Sequence, residues 1–542
     1  MRRGGGFAVA LVVGWYAFAL VVLHPLADGP VADSWIYGGA VRWFLATGEI
    51  RFPGFTEAMP VAQLLYGAAW GSIFGTGAVS LDLANVLLGI VAALLMYALA
   101  IRCGARRWQA LAAAGMLICN PCYLFLSFSF MSEISFLAAL IGSHLAFANA
   151  QGDRQIPYLW LSAGLAVAAF AVRPFGGAAV LGAMGAILIF DGHRAKLEQL
   201  ASMLAPFIVA LIGCALIWIW LTVIRPPPWA LTENAARMKY IFLVPIREYL
   251  RMGVLGPLLY LGIVLSPLAL LRVASRKTGR IFALGTIIFI ASLMVTRLGR
   301  DYPVTPEMSC FGGCSNALLL RGMPNRFEWQ GWWQYVAMLL GSIGGAGLIS
   351  ATVEVVPRLT RVSTAVFLTA GIYWMAMIPL WFFNDRYFLV LVPAAVLMLA
   401  LTSLPEKFPL RAAAFAMTAA MGLLSLAGDY AYQRGLTAVM VARDTLEKRG
   451  IPRTKIDAGY ELNGLDLYRF SSQPEATRRE AAAIPMITSS QVSEYTVAAR
   501  PLAGTETLGT ISLPASFGLG SREIYLLRSI NREKNMDARP VP

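Results

Sequence analysis

The feature of this 542-residue chain that most constrains its fold is a succession of apolar runs long enough to cross a lipid bilayer. A transmembrane helix needs about 20 predominantly apolar residues, whereas the strands of a membrane barrel alternate over about ten. The runs here are continuous, which indicates helices. Hydrophobic residues make up 58% of the chain and charged residues 14%. The sequence therefore predicts a polytopic α-helical membrane protein, and it excludes a soluble enzyme and a disordered or fibrous chain.

The lengths of these runs predict about thirteen transmembrane helices. The first run follows Met1-Arg2-Arg3, and we interpret it as a retained span rather than a cleaved signal peptide, because no clear small-residue cleavage site follows it. The predicted spans are 7–23, 80–101, 108–126, 131–149, 156–172, 175–191, 200–224, 252–271, 281–296, 331–351, 363–382, 386–402 and 410–427.

The distribution of basic residues predicts the orientation of the spans. Every second short loop carries Lys or Arg, as the positive-inside rule expects of cytoplasmic loops. With a cytoplasmic N-terminus, an odd number of spans places the C-terminus on the outer side of the membrane. The net charge of +14 is then explained by topology, and no nucleic-acid partner is expected. The basic loop residues are Arg102, Arg106, Arg107, Arg194, Lys196, Arg272, Arg276, Lys277, Arg280, Arg358, Arg361, Lys407 and Arg411.

Three predicted outer loops are long, 24–79, 225–251 and 297–330, and the composition changes near the C-terminus. The first outer loop, 24–79, contains two apolar stretches, Ser34 to Ala46 and Val61 to Phe74, which are too short to span and are predicted to lie in the membrane interface. Beyond residue 428 charges become frequent and apolar runs shorten. We therefore predict a transmembrane domain, 1–428, and a small soluble α/β domain, 429–542, on the outer side. Its predicted elements are a helix to Arg449 and strands near 455–458 and 523–527.

Ionisable residues in or beside membrane spans are costly and suggest function. The candidates all fall at outer span ends or in the first outer loop of the predicted topology, which indicates one site at the outer face. They are Asp33, Glu57, Glu133, Arg173, Asp385 and Arg386.

Two of these carboxylates are candidate catalytic residues. Asp33 either caps the helix that begins after it or acts as a general base that deprotonates an acceptor hydroxyl, and the two roles are not exclusive. Glu133 either belongs to a capping box or takes part in the same site. A further hypothesis is that Asp33 and Glu133 together hold a divalent cation.

The basic residues predicted to lie outside break the charge rule and also have two interpretations. They either anchor the protein to lipid headgroups or bind a phosphate or pyrophosphate, for which arginine forks are well suited. This group consists of Arg173, Arg386, Arg237, Lys239, Arg247 and Arg251.

The cysteines are too few for a disulfide framework, but two of them lie close together in a predicted outer loop. Cys310 and Cys314 are separated by Phe-Gly-Gly, and an oxidising compartment favours a local disulfide between them over free thiols. Cys119 and Cys122 are predicted to be packing residues near a span end.

Several short motifs resemble those of the GT-C superfamily of polyprenyl-phosphate-sugar-dependent glycosyltransferases, in particular the protein O-mannosyltransferase and lipid A aminoarabinose transferase branch. Asp33-Ser-Trp-Ile-Tyr37 is similar to the acidic motif of the first outer loop. The other matching stretches are Glu57-Ala-Met-Pro-Val-Ala-Gln-Leu-Leu-Tyr66, Phe74-Gly75 with Ser80-Leu81, Met131-Ser-Glu133, Arg173-Pro174, Arg386-Tyr387 with Pro393, and Asp457-Ala-Gly-Tyr-Glu-Leu-Asn-Gly464.

The resemblance implies a GT-C-like fold and an inverting glycosyltransferase at the periplasmic face of a bacterial inner membrane. Its donor would be a polyprenyl-phosphate-linked sugar and its acceptor a glycan, lipid or protein. Asp33 would be the catalytic base. The chain has Ala58-Met59 where the family has a phosphate-binding lysine, so phosphate contact is expected from Arg173, Arg386 or the 237–251 group. The acidic motif holds one carboxylate where many relatives have two.

Other classes of function are compatible with a polytopic membrane protein. A transporter or flippase of lipid-linked sugars would place ionisable groups near the bilayer midplane, often on broken helices within internal repeats. An O-antigen ligase or polymerase also uses an outer-face site, with a large outer loop late in the chain. A scaffold whose outer domain does the work is a third alternative. The one-sided charges and the absence of a visible repeat favour the glycosyltransferase.

Overall fold

The computed structural model describes most of the chain, mainly as helix. The described residues are 2–53, 56, 59–193, 195–224, 243–273, 278–296, 320–322, 332–378, 385–468, 493–513 and 522–530. The helices are α1 Arg2–Leu23, α2 Ser34–Thr47, α3 Val61–Phe74, α4 Ala78–Arg102, α5 Arg107–Ile118, α6 Pro121–Ser127, α7 Ser132–Asn149, α8 Gln155–Val172, α9 Gly177–Asp191, α10 Leu197–Ile219, α11 Ile246–Val264, α12 Ser266–Val273, α13 Thr278–Val295, α14 Trp332–Val355, α15 Arg361–Met377, α16 Asp385–Phe388, α17 Val392–Ala400, α18 Phe408–Lys448 and α19 Tyr460–Leu467.

Seven helices in the described part of the chain are long and apolar enough to cross a membrane, or up to nine if each of two bent pairs is one span. The bent pairs are α5 with α6, at 64°, and α11 with α12, at 85°. The prediction of a polytopic helical membrane protein is confirmed, whereas the count of about thirteen is not. Some predicted spans are helices too short to count: α15, for example, has 17 residues.

The surface of these helices requires a lipid environment. Only 22% of the apolar window within Leu197–Ile224 is buried, and Leu197, Leu216 and Val223 are largely exposed. Such a large contiguous apolar surface is not stable in water. The interior is formed mainly by α4 to α9, α15, α17 and α18, which share one continuous apolar core.

Both predicted short helices of the first outer loop are present, as α2 and α3. Helix α2 ends at Gly48, whose φ of 74° is the left-handed conformation typical of a helix C-terminus. Helix α3 packs against α2, α4 and α8. The described part of the loop is thus a folded layer on the bundle.

Helix α18 continues for 41 residues and passes through the predicted domain boundary at 428/429. At 1.5 Å per residue it is about 60 Å long, roughly twice the thickness of a bilayer core. Its last residue is Lys448, and a small mixed sheet follows, as predicted. The strands are β1 Ile456–Asp457, β2 Tyr495–Ala498, β3 Thr505–Leu513 and β4 Arg522–Ser529, in the order β1-β2-β4-β3.

The sheet pairs β1 and β2 in parallel and the other neighbours antiparallel. Together with α19 and the end of α18, it forms a small C-terminal unit that packs on α2, and we call this unit the outer domain after its predicted side of the membrane. This domain stands at the end of the bundle where α1 finishes and α7 begins.

The opposite end of the bundle carries several of the predicted loop arginines. Arg361 pairs with Asp191 at 3.0 Å, between Nη1 and Oδ2, and donates to the Ala150 carbonyl at 3.1 Å. With Arg102 they line a cavity of about 550 Å³.

Candidate functional site

Four of the predicted site residues come together at the end of the bundle that faces the outer domain. Arg386 Nη1 donates to Asp33 Oδ2 at 3.1 Å, and its Nε lies 3.8 Å from Glu133 Oε1. Arg173 Nη2 donates to the same Glu133 oxygen at 2.6 Å. Two carboxylates and two guanidiniums from four separate elements thus form one connected cluster.

Asp33 directly precedes α2, but its side chain makes no capping hydrogen bond. The carboxylate turns away from the helix amides and accepts from Arg386 through Oδ2 and from the Tyr460 hydroxyl through Oδ1, at 2.7 Å. The preceding Ala32 has a φ of 48°, a conformation that costs energy for a residue with a Cβ. Of the two interpretations given above, the capping role is therefore wrong for the Asp33 side chain.

Exposure distinguishes the two carboxylates. The Asp33 side chain is 24% exposed and that of Glu133 only 1%. A general base must reach the proton that it accepts. Asp33 meets this requirement, and Glu133 is placed to hold the arginines.

Glu133 lies in the first turn of α7, where the helix dipole favours a negative charge. The preceding loop is fixed from two sides. Asn85 of α4 donates to the carbonyls of Ser129 and Met131, at 2.5 and 2.8 Å, and Gln63 of α3 donates to that of Phe130 at 3.0 Å. The Oε2 atom of Glu133 is buried without a hydrogen-bond partner among the described residues.

Arg173 follows α8 in an extended conformation. Its Nε and Nη2 donate to Ser132 Oγ at 3.0 and 2.8 Å. The chain then returns tightly at Gly176, where a Cβ would overlap the backbone of Phe170. Since Nη1 has no acceptor among the described residues, Arg173 retains donors for an anionic ligand.

Arg386 lies in the short helix α16, which is held by a hydrogen bond from the Tyr373 hydroxyl to the Tyr387 carbonyl at 2.8 Å. The neighbouring Asp385 is fully buried, and its carboxylate interacts with Cys122 and Tyr260. Asp385 therefore lies in the interior beside the cluster, whereas Arg386 takes part in it.

Sequence reasoning assigned no role to two tyrosines of this cluster. Tyr37 is buried one turn after Asp33 and interacts electrostatically with all four charged residues; burial raises the pKa of its hydroxyl. Tyr37 lies four residues after Asp33, and this i, i+4 spacing on a helix could have indicated from the sequence that the two side chains are neighbours. Tyr460 is 427 residues away from Asp33 in sequence, and no local pattern indicates their contact.

The remaining candidates lie outside the described residues. They are Glu57, Arg237 and Lys239, together with the predicted disulfide partners Cys310 and Cys314. Of the same basic group, Arg251 is described and its Nε donates to Glu248 Oε2 at 2.8 Å. Cys119 and Cys122 are buried, as predicted.

The cluster does not fit the predicted divalent cation. Within the described ranges no group of three or more His, Cys, Asp or Glu side chains could hold a metal ion. The guanidinium of Arg386 lies within ion-pair distance of both carboxylates that were predicted as ligands, so their charge is already compensated. The metal site remains a prediction without structural support.

These features define a multi-pass integral membrane protein with a charged site at one end of its helical bundle. Residues 60–220 match the model of the dolichyl-phosphate-mannose-protein mannosyltransferase family. The resemblance inferred from the motifs is confirmed for that part, which includes Glu133 and Arg173 but neither Asp33 nor Arg386. No curated protein shows a significant match to the chain.

Three solved structures with some similarity to this chain are as follows. The Saccharomyces cerevisiae protein O-mannosyltransferase Pmt1-Pmt2 complex, bound to the sugar donor, is 18% identical over 41% of this chain and 34% of that one, with a TM-score of 0.34. This chain thus spans about a third of its length. ArnT from Cupriavidus metallidurans, bound to undecaprenyl phosphate, is 13% identical over 96% and 98%, with a TM-score of 0.42. AglB from Archaeoglobus fulgidus, with an inhibitory peptide and a dolichol-phosphate, is 14% identical over 87% and 60%, with a TM-score of 0.46.

Proposed function

We propose that this protein is an inverting glycosyltransferase that transfers a sugar from a polyprenyl-phosphate donor to an acceptor hydroxyl at the outer face of a bacterial inner membrane. The acceptor would be a glycan, a lipid or a protein. The observation that carries the proposal is the cluster of Asp33, Glu133, Arg173 and Arg386 at one end of the bundle. The family match over residues 60–220 supports the same class of donor.

The chemistry requires a base at the acceptor hydroxyl and cations around the leaving phosphate. Asp33 would accept the proton of the acceptor hydroxyl. At the same time, the oxygen of that hydroxyl would form the new bond to the anomeric carbon. The bond from that carbon to the phosphate oxygen breaks, and the phosphate leaves with the electron pair. Arg173 and Arg386 would stabilise its developing charge.

The location of the charged groups favours an enzyme over a transporter. A transporter is expected to bind its substrate near the bilayer midplane. The four charged residues of the cluster instead lie where helices begin or end, next to the outer domain. A lipid-linked donor could then keep its tail among the helices while its sugar phosphate reaches the cluster.

The test is an Asp33→Asn variant assayed with a panel of polyprenyl-phosphate-linked hexoses and pentoses and native membranes as the acceptor pool. Asparagine keeps the size of the side chain but is not a base. We expect turnover to fall by about a hundredfold or more, as is usual when a general base is lost. Binding of undecaprenyl phosphate, measured by thermal shift in detergent, should be retained.

Asp28→Asn is the matched control, because Asp28 is an exposed carboxylate in the same loop. It should transfer sugar at the wild-type rate. An Asp33→Asn protein as active as this control would contradict the assignment of the base. Failure of the wild-type protein to transfer any sugar of the panel would contradict the proposed function.

A further inference from the structure

The outer domain contributes one side chain to the charged cluster. Tyr460, the first residue of α19, donates its hydroxyl hydrogen to Asp33 Oδ1 at 2.7 Å, while Arg386 binds Oδ2. The two donors fix the rotation of the carboxylate from opposite sides. A carboxylate offers about four lone-pair directions, so Asp33 can still accept a proton from a substrate.

Packing around Tyr460 holds its ring in place. The ring meets Trp35 of α2 edge-on, with centroids 5.9 Å apart. Gly464, one turn further along α19, lies directly against the same indole, and a Cβ there would overlap the ring. Helices α2 and α19 are therefore in close contact beside the carboxylate.

A second connection joins the outer domain to the backbone before Asp33. The Tyr432 hydroxyl of α18 donates to Glu461 Oε1 at 3.5 Å and accepts from the Ala32 amide at 3.4 Å. Ala32 is the residue with the unfavourable positive φ. Glu461 follows Tyr460 in α19, so the same helix supports both the backbone of this loop and its carboxylate.

The Tyr460 hydroxyl remains protonated, so it can always donate its hydrogen bond to Asp33. Burial, followed by the charge of Asp33, raises the pKa of the phenol well above its ordinary value of about 10. The hydroxyl therefore keeps its proton throughout the physiological range.

We propose that Tyr460 is a positioning residue that orients the Asp33 carboxylate, so that the active site is complete only when the outer domain is docked on α2. The proposal rests on the proposed function. Tyr460 neither gains nor loses a proton in the reaction. It stabilises the ionised carboxylate in the orientation in which the base faces the acceptor hydroxyl.

The test is Tyr460→Phe in the full-length protein, which removes the hydroxyl and keeps the ring against Trp35. We expect kcat to fall about tenfold, the effect of losing one hydrogen bond to a charged group. The KM for the polyprenyl-phosphate sugar should change less than twofold. The pH of half-maximal activity on the acid side should rise, because the ionised carboxylate loses a donor.

Tyr468→Phe is the matched control, since Tyr468 directly follows α19 and its ring lies 5.7 Å from that of the same Trp35. It should keep the wild-type kcat and pH profile.

A second variant replaces Tyr460 with a fluorinated tyrosine, whose phenol ionises at lower pH. Its activity should decline at the pH where this phenol ionises, as followed by 19F NMR, because a phenolate cannot donate. This readout does not depend on a change of packing.

The outcomes separate the two proposals. A Tyr460→Phe variant with the kcat and pH profile of the wild type, alongside an inactive Asp33→Asn variant, would overturn the positioning role and leave the proposed function intact. An unchanged activity across the pH at which the fluorinated phenol is seen to ionise by 19F NMR would also overturn it. A wild-type protein that transfers no sugar of the panel would overturn both.

Discussion

At the scale of single residues, the cluster shows how burial assigns different tasks to similar side chains. Asp33 and Glu133 are both carboxylates beside arginines, but only Asp33 is partly exposed. The buried carboxylate of Glu133 is held in place by a charge-assisted hydrogen bond from Arg173 and by an ion pair with Arg386. Removing the Glu133 carboxylate leaves the positive charges of Arg173 and Arg386 without this partner in a buried environment.

Glu133→Gln should therefore destabilise the protein more than a surface substitution of the same kind. We expect the free energy of unfolding to fall by about 3 kcal/mol, because breaking a buried pair leaves its partner unpaired. Thermal and denaturant unfolding in mixed micelles would measure this.

The matched control for that comparison is Glu447→Gln. Glu447 pairs with Arg453 at 2.9 Å, but both side chains are more than 40% exposed. Exposed pairs contribute about 1 kcal/mol or less. Equal losses for the two variants would contradict the structural role of Glu133.

At the scale of elements, the contact between α2 and α19 decides whether the cluster is complete. Helix α2 belongs to the first outer loop and α19 to the outer domain, and Gly464 of α19 packs directly against Trp35 of α2. Glycine allows the close approach because it has no Cβ. The hydrogen bond from Tyr460 to Asp33 depends on this distance.

Gly464→Ala should move α19 away from α2. An added methyl in a close-packed contact costs about 1–3 kcal/mol. We expect a lower midpoint of thermal unfolding together with a loss of turnover similar to that of Tyr460→Phe. Gly164→Ala is the control, because a Cβ at Gly164 in α8 meets nothing within 4 Å. Wild-type turnover in the Gly464→Ala protein would show that the site tolerates the separation.

At the scale of the whole molecule, α18 connects the two ends of the bundle. It starts at Phe408, near the basic residues Lys407 and Arg411, and ends at Lys448 in the outer domain. Its length of about 60 Å exceeds a bilayer core of about 30 Å. The two ends of this one helix are therefore expected on opposite sides of the membrane.

Single cysteines at the two ends of α18 test the orientation in intact cells, in a background without native cysteines. Lys407 and Lys448 are both exposed. A membrane-impermeant maleimide should label Lys448→Cys in intact cells and Lys407→Cys only after permeabilisation, because the positive-inside rule places the basic end in the cytoplasm. The reverse pattern would contradict both the orientation and an outer-face site.

The sequence alone determined the class of the fold, because the lengths of apolar runs and the positions of charges are local properties that a bilayer selects directly. It predicted α2 and α3, the strands at 456–457 and 522–529, and Asp33, Glu133, Arg173 and Arg386 as one group. Only the tertiary structure decided the direction of the Asp33 carboxylate and which carboxylate is accessible. It also brought Tyr460 to Asp33 across 427 residues, a contact that arises from the docking of two helices and leaves no periodic signal in either.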